Sequence, residues 1–95
     1  MEVFINAKEM AEKYPKTFEV PCEGCLQDLQ VNDYVKICPG EERFWCSVIS
    51  IDKENRTIKG AVANTLICYD WKPGHELEFG FDNVYQILKP EDINL

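Results

Sequence analysis

Apolar residues recur at helical spacing between Asn6 and Tyr14. Ala7, Met10, Ala11 and Tyr14 fall on one face, and Lys8, Glu9, Glu12 and Lys13 on the other. Asn6 is a good N-cap, Glu9 stands at the capping-box spacing, and Pro15 disfavours helical geometry at Tyr14, so a helix is predicted over about 6–14. Past "PKTFEVP" the period changes to two. In 32–38, Val35 and Ile37 alternate with Tyr34 and Lys36, after an Asn32-Asp33 turn suited to left-handed backbone. Leu77 and Phe79 alternate inward in 76–81, and 83–88 reads as a last strand.

The longest predicted strand, 43–52, is apolar on both sides. Phe44, Cys46 and Val48 share one face, while Trp45, Ile49 and Ile51 point to the other. "KENR" (53–56) is a hairpin turn in which Asn55 is the residue best able to take positive φ. Residues 57–64 return, with Gly60 marking a bulge or a close approach. Residues 65–75 run from apolar to turn-like and end in Lys72-Pro73-Gly74-His75. The elements define an α+β, mainly β fold: a short N-terminal helix on a small, strongly bent antiparallel sheet, or half-open SH3-like barrel, of five to six strands. The helix is expected to cover part of the second face of the long strand and to leave some of Trp45, Tyr69 and Trp71 exposed.

A chain of 95 residues makes one domain. It divides into the helix, a β-rich body over about 17–88 and a short tail, 89–95. Charge then narrows the partners. Ten basic against seventeen acidic residues give a net charge of −7, with acids such as Glu23, Asp28 and Asp33 spread along the chain and no basic stripe. A phosphate backbone is repelled by such a surface, so nucleic acid is excluded, while a basic protein partner is favoured. No apolar run is long enough for a membrane span, and the N-terminus lacks the layout of a signal peptide, which points to the cytoplasm. Five cysteines, an odd set, read as reduced thiols rather than a secreted disulfide framework.

Candidate chemistry is sparse. Cys22-x-x-Cys25 is half a zinc site, which Cys38, Cys46, Cys68 or His75 would have to complete, and none of these stands in a second knuckle. A redox role for the same pair needs a helix start beneath it, and "CEGCLQDLQ" offers one turn of helix. His75 is the only histidine and reads as a turn residue at a strand start, and no nucleophile elbow, P-loop or metalloprotease motif occurs. The reading is therefore a non-enzyme without a cofactor.

The segments "TFEVP", "LQVNDYVKI", "GEERFWCSVISID", "IKGAVANTL" and "KPGHELEFGFDNVYQI" resemble the bacterial domain-of-unknown-function family 2314 and its relatives over roughly residues 17–88. Gly40-Glu41-Glu42-Arg43-Phe44-Trp45 is the most specific piece. Two Gly-Asp pairs of the family pattern are Asn32-Asp33 and Gly74-His75 here, and the Cys22–Cys25 insert has no counterpart in it. The resemblance implies a small β domain in which Glu42, Arg43, Trp45 and Asn64 form a shared cluster. It brings no established activity.

Tyr69, Asp70 and Trp71 lie in the least regular connection, where rigid aromatics are good anchors. With Arg43 and Trp45 they would form a cleft. The leading expectation is a non-catalytic cytoplasmic binding module, resembling an immunity protein or inhibitor of bacterial or phage type, whose acidic face meets a basic protein. The alternatives are a small-molecule binder using the aromatic cleft and a zinc-stapled structural domain. Either a monomer or a homodimer is compatible with this reading, an open sheet edge favouring the dimer.

Overall fold

Asn6 caps the first helix as its position predicts. Its Oδ1 accepts the Glu9 N–H at 2.8 Å, and α1 runs Ala7–Lys13, with Glu9 also paired to Lys13 at 3.4 Å. The computed structural model describes residues 5–14, 20–38, 40, 43–64 and 71–92. Tyr14 closes α1 in a non-helical conformation, which takes its side chain off the apolar stripe and leaves it 53% exposed.

A second helix, α2 (Glu23–Gln27), precedes the sheet and lies inside the stretch read as β-rich. The strands are β1 (Tyr34–Ile37), β2 (Phe44–Asp52), β3 (Thr57–Val62), β4 (Glu76–Gly80) and β5 (Gln86–Leu88), joined antiparallel in the order β4-β3-β2-β1-β5. The result is the small, mainly β, α+β fold expected. The sheet is not closed into a barrel: β4 and β5 are its two edges. Residues 83–88 give only the three-residue β5, because a 3-10 turn, Phe81–Asn83, takes up the approach to it.

One face of the sheet forms the core. Val35, Ile37, Phe44, Cys46, Val48, Ile58, Val62, Leu77 and Phe79 point into it, and Leu26, Leu29, Phe81 and Val84 close it from outside the strands. Full burial of each large aliphatic or aromatic side chain stabilises by about 1.5–3 kcal/mol. Gly60 is a close-approach point: a Cβ there would meet Cys46 Cβ at 3.0 Å and Phe79 Cζ at 3.2 Å.

The two-sided apolar pattern of β2 has a specific cause. Val48 pairs with Gly60, but Ser50 pairs with Lys59 and Ile51 with Ile58, so one extra residue enters β2 at Ile49. This β-bulge reverses the alternation. Ile51, expected opposite to Val48, turns to the core side and packs against the buried cluster. The bulge falls where β1 has ended, since Val48 already bonds to Asp33 beyond the β1 ladder. Ile49 is left 39% exposed.

The N-terminal helix does not lie over the second face of β2. It docks through Ala7 against Cys38 and Tyr85, with Ile5 and Val20 alongside. Backbone ties fix it there: Ile5 N–H donates to the Cys38 carbonyl at 2.8 Å, and Asn83 Nδ2 donates to the Ile5 carbonyl at 3.2 Å.

Turn chemistry is partly as predicted. Asn32 takes positive φ, 81°. In the 53–56 turn, however, positive φ falls on Arg56 (56°) and not on Asn55. Asp52 holds Asn55 through both carboxylate oxygens, at 3.0 Å to its N–H and 2.7 Å to its side-chain amide, which passes the left-handed position one residue on. Asp33 is also not a surface acid: it is 3% exposed and bound by the Gln30 N–H at 2.9 Å and Lys89 Nζ at 2.5 Å. Among the described residues no helix is long and apolar enough to cross a membrane.

Candidate functional site

The sheet has a second face, and its register can be followed strand by strand. Glu76 stands opposite Ala61, Ala61 opposite Ser47, Ser47 opposite Tyr34 and Tyr34 opposite Leu88, a rung that crosses all five strands. The neighbouring rung sets Trp45 opposite Lys36 and Lys36 opposite Gln86. Small side chains thus occupy the centre, with Trp45 and Ile49 on either side of Ser47 along β2. Lys36 Nζ sits 4.9 Å from the Trp45 ring centroid, a cation–π contact that holds the indole across β1. The packed clusters formed by the described residues include neither Tyr34, Trp45 nor Ile49.

Trp45 and Asn64 are brought together, but through the backbone. Asn64 Oδ1 accepts the Trp45 N–H at 2.7 Å, next to the bond from Ala63 N–H to the Trp45 carbonyl at 2.9 Å. The Asn64 side chain therefore extends the β2–β3 ladder by one bond. Arg43 lies with its guanidinium 5.7 Å from the Tyr85 ring, beside the α1 docking cluster. Trp71 packs on the core: its ring meets Phe44 edge-on at 6.1 Å and stacks on His75 at 5.8 Å. Phe44 and Trp45 are consecutive strand residues and point to opposite faces. Among the described residues Trp45 and Trp71 therefore do not face each other across a cleft, because the sheet separates them. Glu42, Tyr69 and Asp70 lie outside the described residues.

A second cluster was not legible as such in the sequence. Arg56 reaches from the β2–β3 turn to Glu23 of α2 and, at 2.7 Å, to Asp82 of the 3-10 turn, and its guanidinium lies 5.2 Å from the Phe81 ring. Hydrogen bonding from Arg56, and then from Gln27, holds the Glu23 carboxyl down at about 2. Arg56 ties together three segments that are far apart in sequence, and its own backbone takes a positive φ, unusual outside glycine.

Glu23 lies within the Cys22-x-x-Cys25 pair. Cys22 is the N-cap of α2, both thiols are exposed, and the two Sγ atoms are 3.1 Å apart. The Cys25 N–H also donates to Cys22 Sγ at 3.4 Å. Hydrogen bonding from the Cys25 side chain, then from its backbone, lowers the Cys22 thiol below its ordinary value, and the same contact raises that of Cys25. Cys46 is the opposite case, since burial pushes its thiol up to about 12. Among the described residues, no three His, Cys, Asp or Glu side chains are grouped to hold a metal, and Cys68, one expected zinc partner, lies outside them. Beside Cys22 runs a shallow groove of about 230 Å³ between α1, α2 and the 3-10 turn, lined by Lys8, Pro21, Leu26 and Phe81.

No family model, no curated protein and no solved structure matches the chain, so the resemblance to family 2314 remains an expectation of the sequence and the functional reading rests on the geometry.

Proposed function

We propose that this protein is a small cytoplasmic binding module, non-catalytic, that acts by protein–protein contact through the open face of its sheet. The observation that supports the reading most is the rung Ala61, Ser47, Tyr34 and Leu88 with Trp45 and Ile49 flanking it. Small residues at the centre and half-buried aromatics around them make a shallow surface into which a partner's side chains fit. Aromatic anchors of this kind contribute most where they are desolvated at the centre of an interface. The occupant inferred is a basic protein surface. The chain carries −7 overall, and exposed Glu78 and Glu76, the latter paired with Lys59 at 3.8 Å, line the β4 end of this face. Opposite charge speeds encounter and rejects acidic competitors.

The test is quantitative capture of partners by wild type, Trp45→Ala, Ile49→Asp and the α1 control Glu12→Lys, with each band's salt dependence recorded. The reading expects a basic protein that is held by wild type and the control, lost with both sheet-face variants, and weakened as salt rises. A partner retained by both sheet-face variants would place the interface elsewhere on the molecule.

A further inference from the structure

The binding reading makes no use of the Cys22–Cys25 pair. We propose that these two residues form a reversible dithiol–disulfide site that exchanges with a low-molecular-weight disulfide of the glutathione type. Three observations carry this. The sulfurs are 3.1 Å apart, and a disulfide bond of about 2.05 Å needs only about 1 Å of further approach. Both thiols are exposed, so an incoming disulfide reaches them. The groove along Cys22 has apolar walls, Val20, Pro21, Leu26, Phe81 and Val84, with the Lys8 ammonium at its rim; its two carboxylates, Glu23 and Asp82, are both bound by Arg56, and its volume of about 230 Å³ suits a small molecule lying on the surface.

A metal is a poorer occupant of the same atoms. Two sulfurs are half the ligand set of a closed zinc site. The adjacent carboxylate, Glu23, is already bound by Arg56 and Gln27.

The exchange is balanced without a further reagent. The Cys22 thiolate, having released its proton to water, attacks one sulfur of glutathione disulfide. A Cys22–glutathione bond forms, the original S–S bond breaks, and one glutathione leaves as a thiolate that takes up a proton. Cys25 then loses its proton and attacks Cys22 Sγ, and the second glutathione leaves in the same way. Two protein thiols are oxidised and one glutathione disulfide is reduced to two thiols. Cys22 is the attacking residue because the Cys25 N–H is aimed at its sulfur. Closing the bond draws in the first turn of α2, which carries Glu23 and hence the tie to Arg56 and Asp82. The redox state is thereby linked to the anchoring of the β2–β3 turn.

The experiment incubates the folded full-length chain in glutathione buffers of rising disulfide fraction, quenches with acid, alkylates, and maps the peptides by mass. The peptide containing Cys22 and Cys25 is expected to lose both alkylation sites together and to regain both on reduction. Cys25→Ser is expected to stop at one glutathione adduct on Cys22, and Cys22→Ser to form its adduct on Cys25 several-fold more slowly. Either of two results would overturn the site: both thiols remaining alkylatable across the series, or Cys22 bridged to a cysteine other than Cys25. Protection of both thiols in wild type by equimolar zinc, at concentrations that leave Cys22→Ser unaffected, would likewise replace it with a metal site.

Discussion

Lys89 Nζ lies 2.5 Å from Asp33 Oδ2, and this contact joins the segment after β5 to the turn before β1. The pair is asymmetric, since the Asp33 side chain is 4% exposed and that of Lys89 37%. Removing the lysine strands a buried carboxylate, whereas removing the acid leaves an ammonium that can turn to water. Breaking a buried pair from the side that strands a charge is the more destabilising change. Partial exposure of Lys89 screens the interaction and reduces its size. Lys89→Met is expected to destabilise by about 2 kcal/mol, and Asp33→Asn in that background to recover part of the loss. Urea unfolding of the two single variants and the double variant measures the cycle, and strict additivity would mean that the contact carries no coupling.

Gly60→Ala probes a close approach inside the sheet. The new methyl would meet Cys46 Cβ at 3.0 Å, on the neighbouring strand, and Phe79 Cζ at 3.2 Å. Cys46 Cβ is attached directly to the ladder backbone and has no torsion with which to move away. Overpacking of this kind costs about 1–3 kcal/mol. The urea midpoint is expected to fall, and Phe79→Leu to lower it by less in the Gly60→Ala background than in wild type. A midpoint unchanged by Gly60→Ala would show that β2 and β3 can separate at little cost.

These contacts mark where sequence stops being a sufficient guide. The Asn6 cap, the left-handed Asn32 and the inward placing of Val35 with Ile37 and of Leu77 with Phe79 all depend on residues within a few positions of each other, and all were legible. The bulge at Ile49 was not, because it exists only in the pairing of β2 with β3 and appears where β1 runs out. Period-two reasoning carried past that point assigns Ile51 to the wrong face. The Arg56 cluster was equally hidden, since Glu23 and Asp82 are each separated from the turn by two strands of the chain. The candidate site followed the same division. The parity of β2 distinguishes Phe44 from Trp45, but nothing local to Trp71 shows that it returns to the Phe44 side.

The two tryptophans therefore separate experimentally. Trp71 packs with the core cluster, so Trp71→Ala is expected to destabilise by about 3 kcal/mol, the lower end of the range for truncating a large aromatic, because it is only partly buried. Trp45→Ala removes a side chain from the second face and its contact with Lys36, and is expected to cost about 1 kcal/mol or less. Thermal and urea unfolding of both variants checks the order. A larger loss at Trp45 would mean that its ring is part of a packed layer and not of a binding surface.

Glu23 gives the fold an acid-sensitive tie. Its carboxyl is held at about 2, against an ordinary value of 4.5, by hydrogen bonding from Arg56 first and Gln27 second. A carboxyl whose value is lower in the folded state contributes stability that is fully present above the unfolded value and is lost as pH falls through the folded one. The window is thus about pH 4.5 down to 2. The Glu23 side chain is about half exposed, so the contribution is modest and salt weakens it. Melting temperatures of wild type and Glu23→Gln are expected to differ most at neutral pH in low salt, and to converge as pH approaches 2. Arg56→Gln should remove the larger part of the same pH-dependent component, because it takes away the first cause of the shift and leaves the Gln27 bond. If Glu23→Gln keeps the wild-type slope between pH 4.5 and 2, the Arg56 contact does not persist in solution, and the coupling of the cysteine pair to the β2–β3 turn loses its route.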